Sequence, residues 1–102
     1  MDEGKQLVWS ADADNDLISI WRHGAEAWSD GAADKRLFEI DYACERLLDE
    51  PMLGKERDEL IVGMRSIPAH PHIIFYRISK SVIEIVRVLH QPIDIEKVFQ
   101  DA

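Results

Sequence analysis

The sequence predicts an α+β protein in the order β-α-α-β-β-β, with a helical hairpin packed on one face of a small, mainly antiparallel sheet. Apolar residues recur at helical spacing through the first half of the chain. Runs of β-branched and aromatic residues, separated by turn residues, make up most of the second half. The length of 102 residues suits one domain, which we expect to span residues 1–102.

The first strand and the first helix are predicted close to the N-terminus. Gln6–Trp9 is short and contains Val and Trp, which favour strands. Ser10 is placed to cap a helix over residues 11–28. The apolar stripe of this helix comprises Leu17, Trp21, Ala25 and Trp28. We expect Trp21 and Trp28 in the core, and Asp12, Asp14 and Asp16 as a solvated helix start.

A second helix is predicted from about Ala33 to Asp49. Asp30-Gly31 is expected to end the first helix, with Gly31 in the left-handed conformation. Pro51 ends the second helix, because the residue before a proline avoids the helical region. The apolar stripe of this helix comprises Leu37, Ile40, Cys44 and Leu47. We therefore expect the lone cysteine to pack in the core as a small apolar side chain rather than to act as a nucleophile.

The second half predicts a three-stranded antiparallel meander. Its strands are expected at Gly63–Ala69, His72–Ser79 and Val82–His90, and a short helix at Ile93–Phe99 closes the chain.

Both faces of the predicted sheet are largely apolar, although two helices cover only one. Strict alternation along the last strand separates two sets, Val82, Glu84, Val86 and Val88 from Ile83, Ile85, Arg87 and Leu89. The second face, which carries Arg77 and Arg87, needs another cover. Either the C-terminal segment folds back over it or a partner chain lies across it, and both can hold at once.

Charge and composition narrow the class of protein. The net charge is −8, and residues 1–50 hold thirteen acidic and five basic residues. Such a surface repels phosphate, so we expect no direct nucleic-acid binding. No apolar run approaches the ~20 residues that cross a bilayer, and the N-terminus does not resemble a signal peptide. With a single cysteine, these features predict a cytoplasmic protein that does not bind membranes.

From Gly54 to Asp94 the sequence closely resembles the second half of ParE-type toxins of the RelE/ParE superfamily. Four short motifs carry the resemblance: Gly54 followed by Glu59-Leu60, Gly63-x-Arg65, Ile74-x-Tyr76-Arg77, and Arg87-x-Leu89-His90. The first half agrees at Ala13, Asp16, Ile20 and Trp21, and again at Leu47 and Pro51.

The resemblance implies the toxin of a type II toxin–antitoxin system that inhibits DNA gyrase by binding, rather than acting as an enzyme. It also implies a ParD-type antitoxin that wraps the toxin in a hetero-oligomer, and it calls for no cofactor.

Two alternatives stay open at this stage. The RelE branch of the superfamily consists of ribosome-dependent mRNA endoribonucleases, and here Arg65, Tyr76 and His90 would supply the chemistry. Against this, the segment after the last strand lacks the basic residue and the tyrosine usual in that branch. The chain could also be a non-toxic relic that only binds an antitoxin.

The candidate residues for binding the antitoxin or the target are Arg65, Arg77, Arg87, Tyr76 and His90. An arginine can hold a partner's carboxylate through two hydrogen bonds. The other interpretation is that the strand arginines form surface pairs with Glu84 and with the acidic helices.

A metal site is a weaker possibility. His70, His72 and His90 could be ligands, but Pro71 favours a turn and no further ligand lies nearby in the sequence. We therefore expect a solvated or hydrogen-bonded histidine pair and no metal.

Overall fold

The computed structural model describes residues 4–91 and 95–100. This part of the chain contains five strands and three helices. The strands are β1 (Gln6–Trp9), β2 (Lys55–Glu56), β3 (Met64–Ala69), β4 (His72–Ile78) and β5 (Val82–His90). The helices are α1 (Ala11–Ala27), α2 (Asp30–Asp49) and α3 (Ile95–Gln100), with a 3-10 turn at Pro51–Leu53. The predicted α+β class is confirmed. No helix within these two ranges is long and apolar enough to cross a membrane.

The sheet is mixed and mainly antiparallel, with the strand order β1-β5-β4-β3-β2. β1 runs parallel to β5, with Gln6 opposite Val82, and the other three pairings are antiparallel. The meander of β3, β4 and β5 was predicted. The two-residue strand β2 was not, because Lys55-Glu56 carries no apolar pattern.

Ser10 fixes the start of α1 against the sheet. Its Oγ accepts a hydrogen bond from the Ala13 amide at 2.9 Å, as the predicted N-cap should. The same hydroxyl donates to the Val86 carbonyl oxygen of β5 at 2.7 Å. One side chain thus ends β1, begins α1 and ties both to β5.

The turn between the two helices differs from the prediction. α1 ends at Ala27, and Ser29 caps α2 by accepting a hydrogen bond from the Ala32 amide at 3.0 Å. The break predicted at Asp30-Gly31 is therefore wrong, because Gly31 lies in the first turn of α2. Trp28 is 79 % exposed rather than part of the core stripe.

The main core lies between the helical hairpin and the sheet. Its buried residues are Ala13, Ile40, Cys44, Leu47, Ile67, Ile74, Tyr76, Ile83, Ile85 and Val88. Cys44 is fully buried, and that burial, with Asp41 and Glu45 nearby, raises the pKa of its thiol to about 12. The predicted burial of Cys44 is confirmed, and a thiol that stays protonated is a poor nucleophile.

The second face of the sheet has its own core. Phe99 of α3 meets Phe75 edge to face, with ring centroids 4.9 Å apart. Met64 and Leu89 complete the buried cluster, and Leu60 and Ile61, from the loop before β3, pack against it. The C-terminal segment therefore covers this face, one of the two predicted options. The predicted helix start at Ile93 lies outside the described residues.

A β-bulge breaks the predicted alternation of β5. Tyr76 pairs with Ile85, whereas the preceding Phe75 pairs with Arg87, which leaves Val86 as the extra residue. Beyond the bulge the faces are exchanged, so Val88 packs with Ile83 in the main core and Val86 packs with Leu89 in the second core. The predicted assignment of Val88 and Leu89 to faces was wrong for this reason.

Candidate functional site

Arg87 forms a partly buried ion pair with Asp16. Its Nε lies 2.8 Å from Asp16 Oδ2 and its Nη2 lies 2.9 Å from Asp16 Oδ1, a bidentate arrangement. Asp16 Oδ2 also accepts from the Val88 amide at 2.9 Å. The hydrogen bonds that Arg87 donates to this carboxylate raise the pKa of its guanidinium.

This pair corrects the prediction for Asp16, which we expected to be solvated. Its side chain is 13 % exposed, because α1 places it against β5 beyond the end of β1. The spacing in the sequence indicated this position, because Asp16 lies three residues after the buried Ala13 and four before Ile20. Residues at these spacings share one face of a helix.

Arg65 is turned toward its own chain. Its Nε donates to the Gly54 carbonyl oxygen at 3.0 Å, and its Nη2 donates to the Met52 carbonyl oxygen at 3.3 Å. Glu56 lies 3.7 Å away, and the arginine side chain is 15 % exposed. These contacts hold the segment after α2 against β3.

Arg77 is the most open of the three candidate strand arginines. It pairs with Glu84 at 3.3 Å across β4 and β5, and both side chains are more than a third exposed. This is the surface pair that the sequence offered as the alternative to a binding role.

Tyr76 is fully buried and inaccessible to a partner. Its hydroxyl accepts from the Gly54 amide at 2.8 Å and donates to the Pro51 carbonyl oxygen at 2.7 Å. A Cβ on Gly54 would lie 2.5 Å from that hydroxyl, so only glycine fits here. The tyrosine thus secures the crossing from α2 to β2.

His90 is exposed and contacts His72 edge to face, with ring centroids 5.1 Å apart. His72 is 5 % exposed, and its Nδ1 finds no hydrogen-bond partner among the described residues. Burial, with His90, Arg36 and His70 nearby, lowers the pKa of His72 to about 4. In the described ranges no three histidine, cysteine or acidic side chains are arranged to hold a metal ion.

The sequence did not single out the arginines of the helices, which lack a carboxylate partner. Four of the seven pair with a carboxylate of this chain, and the fourth, Arg57, contacts Glu59 at 2.8 Å and lies over the Phe75 ring. Arg22, Arg36 and Arg46, all on the helices, have no carboxylate within 4 Å in the described part of the chain.

The helical hairpin also exposes large apolar side chains. Phe38 is 74 % exposed and Tyr42 is 66 % exposed, and they lie four residues apart on one face of α2. Ile18 of α1 is 53 % exposed. Such residues on a small domain are typical of an interaction surface.

Known structures share this arrangement. A chain of the chromosomal ParDE toxin–antitoxin system from P. aeruginosa superimposes with a TM-score of 0.75, at 23% identity, over 84% of this chain and 95% of that one. A toxin described as YoeB/ParE from Agrobacterium tumefaciens gives a TM-score of 0.62, at 19% identity, over 84% of this chain and 98% of that one. The fold is thus that of RelE/ParE-like toxins.

Sequence comparison identifies the branch. Residues 7–95 match the family described as the ParE toxin of the type II toxin–antitoxin system parDE. Toxin ParE1 of Mycobacterium tuberculosis is 34% identical over 82 residues, which cover 79% of this chain and 84% of the relative. Toxin ParE1 of Caulobacter vibrioides is 33% identical over 76 residues, which cover 74% and 78%. This chain belongs to the ParE toxin family and is the toxin component of a type II toxin–antitoxin system.

The residues proposed for the alternative ribonuclease do not form a cluster open to RNA. Tyr76 is buried, and Arg65 is bonded to backbone carbonyls of the Pro51–Leu53 turn and Gly54. Of the three residues, only His90 is exposed.

Proposed function

We propose that this toxin inhibits DNA gyrase in the cytoplasm by binding to it, and that a ParD-type antitoxin neutralises the toxin. The match of residues 7–95 to the ParE family carries the proposal. The burial of Tyr76 and the bonded state of Arg65 support binding over RNA cleavage, because proton transfer requires groups that reach the substrate.

The helical hairpin supports the antitoxin part of the proposal. Ile18, Phe38 and Tyr42 leave apolar surface exposed in the free chain. A wrapping segment would remove that surface from water, at a gain of about 25 cal/mol for each Å² buried. α3 already covers the second sheet face, whereas these side chains of the hairpin stay open to a partner.

The test is a supercoiling assay with purified gyrase, relaxed plasmid and ATP. We expect the toxin to reduce supercoiling or to trap cleaved plasmid, and an equimolar amount of the antitoxin encoded with it to restore activity. The same protein added to a translation reaction should leave mRNA uncut in primer extension. Cut mRNA with unaffected gyrase would replace this proposal with the ribonuclease.

A further inference from the structure

A cleft of about 550 Å³ opens between the tip of the helical hairpin and the turn that joins β3 to β4. Its polar wall includes Arg36 and three histidines, His23, His72 and His90, and Trp28 stands at its side. None of the proposed functions above uses it. Its size falls within the range of about 300–1,000 Å³ that is usual for binding sites.

Arg36 gives the cleft its charge. Its Nη1 donates to the His70 carbonyl oxygen at 3.3 Å, which holds the side chain toward the β3–β4 turn. That bond uses one of five N–H donors. No carboxylate lies among the residues that line the cleft, so the guanidinium faces it without a counter-charge.

Two observations indicate a ligand that joins a negative group to an apolar one. The Arg36 cation disfavours a metal ion and favours an anion. Trp28 is 79 % exposed, and tryptophan is a frequent anchor at protein interfaces.

The surroundings favour a protein segment over a nucleic acid. The first half of the chain, which contains α1 and α2, carries an excess of eight acidic residues. A polymer with a charge on every nucleotide would be repelled along its length. A peptide can present a single carboxylate to Arg36 and avoid that repulsion.

We propose that the antitoxin inserts an acidic side chain into this cleft, where its carboxylate pairs with Arg36 while a neighbouring apolar side chain packs on Trp28. This inference rests on the proposed antitoxin binding and adds the place of one anchor. The imidazoles of His23 and His90 flank the carboxylate and offer further N–H donors.

The test is a calorimetric titration of the full chain with the purified antitoxin encoded beside it, at low and high salt. We expect Arg36→Ala to weaken binding about 10- to 100-fold, with a smaller dependence on salt than the wild type shows. Trp28→Ala should weaken it severalfold. Lys80→Ala is the control for the loss of one positive charge, since Lys80 is exposed between β4 and β5, outside the helical hairpin, and does not line the cleft. It should bind within about twofold of the wild type.

A charge exchange makes the result specific. Arg36→Glu should lose binding, and one acidic-to-lysine substitution in the antitoxin should restore it. Wild-type affinity in Arg36→Ala would overturn the inference and leave antitoxin binding itself intact. Normal antitoxin binding by Arg36→Ala together with lost gyrase inhibition would also overturn the inference, and would assign the cleft to the target. If the wild-type toxin does not bind the antitoxin, both this inference and the proposed neutralisation by the antitoxin are overturned.

Discussion

The arginines of the strands and those of the helices meet different surroundings. Arg65, Arg77 and Arg87 each have a carboxylate of their own chain within 4 Å, whereas Arg22, Arg36 and Arg46 have none in the described residues. The strand arginines belong to the family motifs, yet two of the three hold the fold together. The helices instead keep apolar surface open to a partner, with Phe38 and Tyr42 exposed.

Among the polar contacts, the largest effect should come from the buried Tyr76 hydroxyl. Tyr76→Phe keeps the ring but removes the hydroxyl. That hydroxyl accepts a hydrogen bond from the Gly54 amide and donates one to the Pro51 carbonyl oxygen. Two backbone groups lose their partner, and we expect a loss of about 2–4 kcal/mol in the free energy of unfolding. Urea denaturation measures it. A loss below about 0.5 kcal/mol would show that water replaces the hydroxyl.

Asp16→Asn should have the next largest effect. The amide cannot neutralise Arg87, so we expect a loss of about 1–3 kcal/mol in unfolding free energy. Arg77→Ala is the control, because its pair with Glu84 is exposed and worth about 0–1 kcal/mol. Equal losses in the two variants would remove the distinction between buried and exposed strand arginines.

His72 should make stability depend on pH. In the folded protein its pKa is about 4, below the ordinary 6.5 that it recovers on unfolding. As the pH falls from 6.5 toward 4, the His72 imidazole binds a proton in the unfolded chain but not in the folded chain. The free energy of unfolding therefore decreases. Above pH 6.5 the contribution is complete.

Urea midpoints at neutral and at mildly acid pH measure this effect. We expect the wild type to lose more stability on acidification than His72→Gln, which has no imidazole to titrate. Parallel behaviour of the two proteins would mean that the carboxylates alone cause the acid sensitivity.

The smallest effect is expected on the exposed face of the hairpin. Phe38→Ser with Tyr42→Ser should change the unfolding free energy by no more than about 0.5 kcal/mol at each site, because both side chains face water. Ile40→Ala, on the buried face of the same helix, should cost about 2–5 kcal/mol. A large loss in the double variant would show that these aromatic residues serve the fold.

The sequence predicted the elements better than their junctions. Strand composition and the turn residues between strands located β3, β4 and β5, and Ser10 marked the start of α1. The hairpin turn was misplaced because Ser29 and Gly31 both signal a helix boundary, and a glycine in the first turn of a helix is tolerated. The bulge at Val86 leaves no local trace, since both faces of β5 are apolar.

The candidate site was harder to predict than the fold. Arg65, Arg77 and Arg87 were identified as residues and Glu84 was offered as a surface partner, but the bidentate pair of Arg87 with Asp16 was not predicted. Asp16 and Arg87 are 71 positions apart, and only the packing of α1 on β5 brings them together. The cleft around Arg36 joins side chains from α1, α2, β4 and β5, a set that no linear pattern reveals.

The place of β5 in the sheet has a consequence for synthesis. β5 is the last strand to leave the ribosome, yet it lies between β1 and β4, and β1 has no other strand partner among the described residues. The nascent chain therefore cannot complete its sheet until residue 90 has emerged. A polypeptide that terminates before residue 82 lacks β5, the strand that joins β1 to β4, so we expect premature termination to yield no folded toxin.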